Sequence, residues 1–173
     1  MSVNFVMANN CSGCRPPFAA TRARQARAFT LIEVMLAVAI MSVIAVIALP
    51  SYSKHVERAR VAQAISDILE LNLQLERYLS DRYAHPEDLT AVGAAGKLDP
   101  WGRPYVYLNL QIAGNKGKAR KNKKLNPINS DYDLYSVGKD GDSASPLTAT
   151  NSQDDVVRAN DGSFVGLASK YTQ

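Results

Sequence analysis

The chain has 173 residues, 46% hydrophobic and 21% charged, which excludes a disordered or collagen-like polymer and suits one domain of ordinary size with an appendage. Its formal charge of +4 resides in the first 28 residues, where Arg15, Arg22, Arg24 and Arg27 meet no acid. The other 16 Lys and Arg are balanced by all 16 Asp and Glu, and a neutral body argues against strong nucleic-acid binding.

The basic arm also holds both cysteines, Cys11 and Cys14. A zinc site needs about four ligands, and no Cys/His pair stands nearby to complete one. A redox dithiol needs a strand–helix setting that this Pro- and Arg-rich arm lacks. The pair is read as functionally silent.

Residues 29–49, FTLIEVMLAVAIMSVIAVIAL, span roughly 32 Å as a helix and are long enough to cross a bilayer. Arg22, Arg24 and Arg27 just before them place the N-terminus in the cytoplasm and the rest of the chain outside it. Glu33 interrupts the apolar run. A carboxylate there costs about 2.5–3.5 kcal/mol on insertion, so a partner is expected. Lipid headgroups are one, and the free α-amino group of a neighbouring subunit beginning at Phe29 is the other.

Pro50 removes one helix hydrogen bond and should kink the helix locally. Residues 51–83 then read as an amphipathic helix, with Val61, Ile65, Ile68, Leu69, Leu75 and Leu79 at helical spacing for packing on a sheet. Residues 84–102 carry Pro86, Gly93, Gly96, Pro100 and Gly102 and read as a loop, with Trp101 packing it against the helix. Strands are expected at 105–112 and 132–137, with a weaker third at 163–168. Three short antiparallel strands on one long helix define an α+β fold.

Lys116, Lys118, Arg120, Lys121, Lys123 and Lys124 form a basic run without an interleaved aromatic for base stacking. A solvated hairpin loop, an acidic patch on a neighbouring subunit and DNA are its three readings, in descending order. Asp131, Asp133, Asp140, Asp142, Asp154, Asp155 and Asp161 hold seven of the 16 acids. They suit either turn capping or Ca²⁺, which takes 6–8 oxygens in loose geometry. An EF-hand is excluded, since the twelfth position from Asp140 is Asn151. His55 and His85 are isolated, and no nucleophile triad or phosphate loop is present, so no enzyme activity is expected.

Arg27-Ala28-Phe29-Thr30-Leu31-Ile32-Glu33-Val34 resembles the prepilin cleavage motif of the type IV pilin and pseudopilin superfamily. The resemblance implies that a prepilin peptidase cuts between Ala28 and Phe29 and N-methylates Phe29, and that Glu33 pairs with the amine of an adjacent subunit. Alanine at 28 departs from the family's usual glycine. Leu98-Asp99-Pro100-Trp101-Gly102-Arg103-Pro104-Tyr105, Asp133-Leu134-Tyr135-Ser136-Val137-Gly138-Lys139-Asp140-Gly141 and Asp154-Asp155-Val156 resemble the major pseudopilins of type II secretion. That likeness implies a C-terminal loop wrapped on one Ca²⁺, with Asp140, Asp154 and Asp155 as carboxylate ligands, the carbonyl of Val137 as another, and Asp142 as a further candidate. Residues 142–153 and 159–173 depart from the shorter family pattern.

The resulting organisation is a removed leader (1–28), a membrane and filament-core helix (29–49), an amphipathic helix (50–83) and a periplasmic sheet with its Asp-rich loop (84–173). The family implies a single-pass inner-membrane protein that polymerises into a helical filament and helps to export folded proteins. Its implied partners are minor pseudopilins, the prepilin peptidase and an inner-membrane assembly platform with its ATPase. A type IV pilin for adhesion, motility or DNA uptake is the alternative, and a single-pass protein that never polymerises is the third reading.

Overall fold

The computed structural model describes residues 29–123 and 125–171. The chain divides between Val43 and Ile44 into two compact units. One helix, α1, runs from Leu31 to Arg82 with Pro50 inside it. The Ser53 hydroxyl donates to the Pro50 carbonyl at 3.0 Å, whereas the carbonyl that the proline deprives of its helical donor is that of Val46, four residues back.

Four strands follow: β1 (Val106–Asn109), β2 (Tyr132–Ser136), β3 (Val156–Ala159) and β4 (Phe164–Leu167). They form one sheet in the order β1-β2-β3-β4, antiparallel throughout. The α+β class expected from the sequence is the class observed.

The buried stripe of α1 is Ala64, Ile68, Leu71 and Leu75, spaced four, three and four residues apart, which keeps one helix face inward. These side chains meet Tyr132 and Leu134 of β2 and Val156 of β3 in one core, with Val61, Ile65 and Trp101 packed at its margin. Each fully buried leucine or isoleucine contributes about 1.5–3 kcal/mol. Leu69 does not belong to this stripe. It is 51% exposed, because one residue of helix turns it about 100° away from Ile68.

Alternation then sends Asp133 and Tyr135 of β2, and Val157 and Ala159 of β3, to the sheet's other face. There Val157 and Ala159 join Ile128, Leu147, Ala168 and Tyr171 in a second core. An antiparallel sheet often leaves one face to water, whereas here connecting segments cover it.

Two strand expectations need correction. β1 ends at Asn109 rather than running to 112. The Asn109 side chain donates to the Pro86 carbonyl at 3.0 Å and accepts the Gln111 amide at 2.8 Å, which turns the chain out of the ladder. β3 was not expected at all. It is four residues long and buried throughout, so it has no period-two pattern to read. Its hairpin with β4 turns through Asn160, Asp161 and Gly162, all at positive φ, where Asn, Asp and Gly are the tolerated residues.

In the segment expected to be a loop, Asp88 caps a short 3₁₀ turn at Leu89–Val92 by accepting the Thr90 amide. Further on, Asp99 accepts the amides of Trp101 at 3.0 Å and Arg103 at 2.8 Å. Its second oxygen accepts the Ser136 hydroxyl at 2.5 Å, which ties the loop to β2. The Trp101 indole donates to Glu57 of α1 at 3.2 Å, so Trp101 packs this loop on the helix as expected.

Candidate functional site: the N-terminal helix and the Asp-rich loop

Residues 29–49 are exposed throughout, and α1 is long and apolar enough to cross a membrane. Thr30 starts the helix: its carbonyl and hydroxyl accept the Glu33 amide at 3.1 and 3.3 Å, the arrangement of an N-cap. Glu33 sits in the first turn, where the helix dipole favours a negative charge. Among the described residues no basic side chain forms an ion pair with it. Ala28, Cys11, Cys14 and the other residues of 1–28, which were expected to be a leader, lie outside the described residues, as does Lys124.

The seven aspartates are dispersed, and each accepts hydrogen bonds from the protein. Asp131 holds Arg158 through both oxygens, at 2.8 and 2.6 Å. Asp133 accepts the Arg120 amide at 2.7 Å and the Asn129 side chain at 2.9 Å. One oxygen of Asp154 accepts the amides of Lys139 at 2.8 Å and Asp140 at 3.0 Å. Asp140 accepts the Asp142 amide, and Asp142 accepts the Ser143 amide and the Asn151 side chain. Asp161 takes the amide and hydroxyl of Ser130.

Asp155 is fully buried. It accepts from the Arg120 guanidinium and the Ser143 hydroxyl, each at 2.6 Å. Desolvation pushes its carboxyl above the usual range, against the pull of Ser143 and Arg120. Burial likewise raises Asp133. For Asp131, desolvation is outweighed by the Arg158 bond and the Tyr132 amide, which hold it below the ordinary value.

Two glycines allow the loop its close approaches. Gly138 has φ +66°, and a Cβ there would lie 2.5 Å from the Asp154 carbonyl oxygen; at Gly141, φ +77°, it would lie 2.4 Å from the Arg103 guanidinium carbon. Arg103 donates to the carbonyls of Gly138 at 2.6 Å and Lys139 at 3.2 Å.

The expected ligands Val137, Asp140, Asp142, Asp154 and Asp155 thus share one loop region but not one coordination shell. Among the described residues no three His, Cys, Asp or Glu side chains are grouped to hold a metal. Amides, Arg120 and Ser143 take up part of this donor set, while Oδ1 of Asp155 is buried without a hydrogen-bond partner, an acceptor of the kind a hard cation uses.

Sequence reading missed four participants: Arg103, Arg120, Ser143 and Arg158. Arg120 counted as one member of a solvated basic run, yet it is 3% exposed. Arg158 is buried over the Tyr132 ring at 4.0 Å and donates to Asn72 of α1 at 2.7 Å. No local spacing announces either arginine's partners. His85 packs edge-on against Tyr132, a structural role in keeping with its isolation in sequence, and His55 is exposed.

A single N-terminal apolar helix, continuing into a helix stripe packed on a four-stranded antiparallel sheet, defines the pilin-like class of filament subunits. Residues 23–49 match the family model described as the prokaryotic N-terminal methylation motif. The type II secretion system core protein G of Pseudomonas aeruginosa is 30% identical over 139 residues, covering 68% of this chain and 87% of that protein. Its counterpart in Escherichia coli is 29% identical over 146 residues, 72% of this chain and 90% of that protein. The type IV major pilin protein PilE of Neisseria gonorrhoeae is 27% identical over 147 residues, 79% of this chain and 86% of the pilin. No solved structure matches at a significant level. The chain belongs to the type II secretion system core protein G family, the major pseudopilins.

Proposed function

We propose that this chain is the repeating structural subunit of a type II secretion pseudopilus that helps to move folded proteins across the outer membrane. Residues 29–49 hold it in the inner membrane, with the N-terminus in the cytoplasm and the sheet-bearing domain in the periplasm. A prepilin peptidase removes residues 1–28 and methylates the amine of Phe29. An assembly platform with its ATPase, together with minor pseudopilins, then draws subunits into the filament. The role is structural rather than catalytic.

The observation that carries this reading is Glu33, the sole charge in an exposed apolar run of 21 residues. Leaving the bilayer one copy at a time would expose that run to water, whereas bundling the helices of successive copies buries it. The carboxylate then meets the amine of the adjacent chain in a low-dielectric setting, where an unpaired charge is costly and a paired one is tolerated. The same contact repeated head to tail without closing yields a helical filament.

Intact mass of the membrane-extracted protein, with N-terminal fragmentation, tests the processing step. A chain beginning at N-methylated Phe29 is expected, and a chain retaining residues 1–28 overturns the filament reading. The likeness to the gonococcal pilin supports a second reading, a type IV pilus subunit. Deleting the gene separates the two: accumulation of exoproteins in the periplasm supports the pseudopilus, and loss of surface fibres with intact secretion supports the pilus.

A further inference from the structure

We infer that Lys54, Arg58 and Lys170 form a clamp for the phosphate of an anionic phospholipid headgroup at the membrane surface. The inference rests on the membrane-spanning reading of residues 29–49 and stands whether the filament is a pseudopilus or a pilus.

The three cations line one open cleft of about 390 Å³, between α1 and the short 3₁₀ turn Ala168–Lys170 that follows β4. Each is exposed, and among the described residues none of the three takes part in an ion pair. The one carboxylate in the lining, Glu57, is already engaged. One of its oxygens accepts the Trp101 indole at 3.2 Å, and the other lies 4.0 Å from the Arg60 guanidinium. Val61, Ile65 and Leu167 give the cleft an apolar floor. Low-dielectric walls beneath charges of one sign strengthen the field at the mouth of such a cleft and favour an anion there.

Position along the helix selects the anion. Lys54 stands five residues beyond Leu49, the last of the apolar run, and Arg58 nine, which is roughly 8 and 14 Å along the axis. Headgroups extend about 5–8 Å past the hydrocarbon. Lys54 therefore lies at their outer boundary, and the Arg58 side chain is long enough to reach back to it. Tyr52 is 71% exposed, at the depth where tyrosines mark membrane interfaces. A phosphodiester at that level offers oxygens that guanidinium and ammonium groups bind. An acidic segment of a protein partner would meet the same charges but gives no reason for the exposed tyrosine beside them. The contact is a second hold on the bilayer, ionic rather than apolar, that is released when a subunit is extracted.

The test uses the full chain in detergent micelles, titrated with phosphatidylglycerol or zwitterionic phosphatidylcholine and read by native mass spectrometry. A phosphatidylglycerol should stay bound at concentrations where phosphatidylcholine does not, and its retention should weaken with added ammonium acetate. Lys54→Gln, Arg58→Gln and Lys170→Gln together should weaken phosphatidylglycerol binding on the order of 100-fold, at roughly fivefold per charge. Lys116→Gln, Lys118→Gln and Lys121→Gln remove the same charge from exposed positions outside the cleft and should leave binding unaltered. Equal retention of the two lipids overturns the inference, and so does an equal loss in the two triple variants. A cleft variant that keeps its lipid preference but no longer cross-links into filaments also overturns it, and assigns the cations to a neighbouring subunit. Unfolding followed through Trp101, the single tryptophan, checks that each variant is folded. Should the triple cleft variant unfold, Lys170→Gln alone decides: a loss of roughly fivefold is expected, and no loss overturns the clamp. Failure of the membrane reading is seen separately, since alkaline carbonate would then strip the chain from membranes.

Discussion

Residues 29–49 and the sheet-bearing part of the chain handle charge in opposite ways. The helix segment presents an apolar surface with one carboxylate, Glu33, that has no ion-pair partner among the described residues. The sheet buries Arg120 and Arg158, each with its own aspartate supplied by the same chain. An unsatisfied charge on an unsatisfied surface points to a partner outside the chain, whereas matched charges inside the fold point to self-sufficiency. Assembly and folding thus draw on separate groups, and substitutions should separate them.

The largest effect is expected at Glu33. Glu33→Ala should abolish filament assembly, read by cross-linking and by exoprotein release, while leaving the melting temperature of the sheet-bearing domain unchanged. A variant that assembled normally would break the contrast by showing that Glu33 needs no partner. Arg158→Met comes next. It strands Asp131 and removes the bond to Asn72, so urea unfolding should show a loss of about 3–5 kcal/mol. Leu71→Ala should cost about 2–5 kcal/mol, and Leu69→Ala, two residues away but half-exposed, less than about 0.5 kcal/mol. Similar losses at the two positions would mean that the helix face is assigned wrongly.

The smallest of the four is a pH effect. Pairing holds the Asp131 carboxyl below its ordinary value of 3.8 in the folded chain. Its stabilisation is therefore complete above that value and disappears as the pH falls through the folded one. Asp131→Asn should cost about 2 kcal/mol at neutral pH, and the gap to the unaltered chain should close on acidification below pH 3.8. A gap that stayed constant would assign Asp131 a packing role instead.

What could be read in advance follows the same division. The membrane helix, the cleavage motif, the strand at 132–137 and the α+β class are written in contiguous residues, as periodicity, composition or a short motif. The buried pairs are not. Arg120 and Asp155 are 35 positions apart, and in sequence one belongs to a lysine-rich run and the other to an aspartate cluster. Nothing in either neighbourhood tells a solvated charge from a buried one. β3 was missed for a related reason: burial on both faces erases alternation, and Arg158 within it looks like a surface residue. The Asp161-Gly162 turn was the available hint of its hairpin.

The order β1-β2-β3-β4 leaves β1 and β4 as the outer strands, each only four residues long. Unpaired strand edges are templates for adding a foreign strand, the route to domain swapping and amyloid, and short edges are one defence. A protein whose copies must stand side by side at very high local concentration is especially exposed to that hazard. With so little edge on offer, neighbouring domains can crowd together while polymer growth is left to the helices.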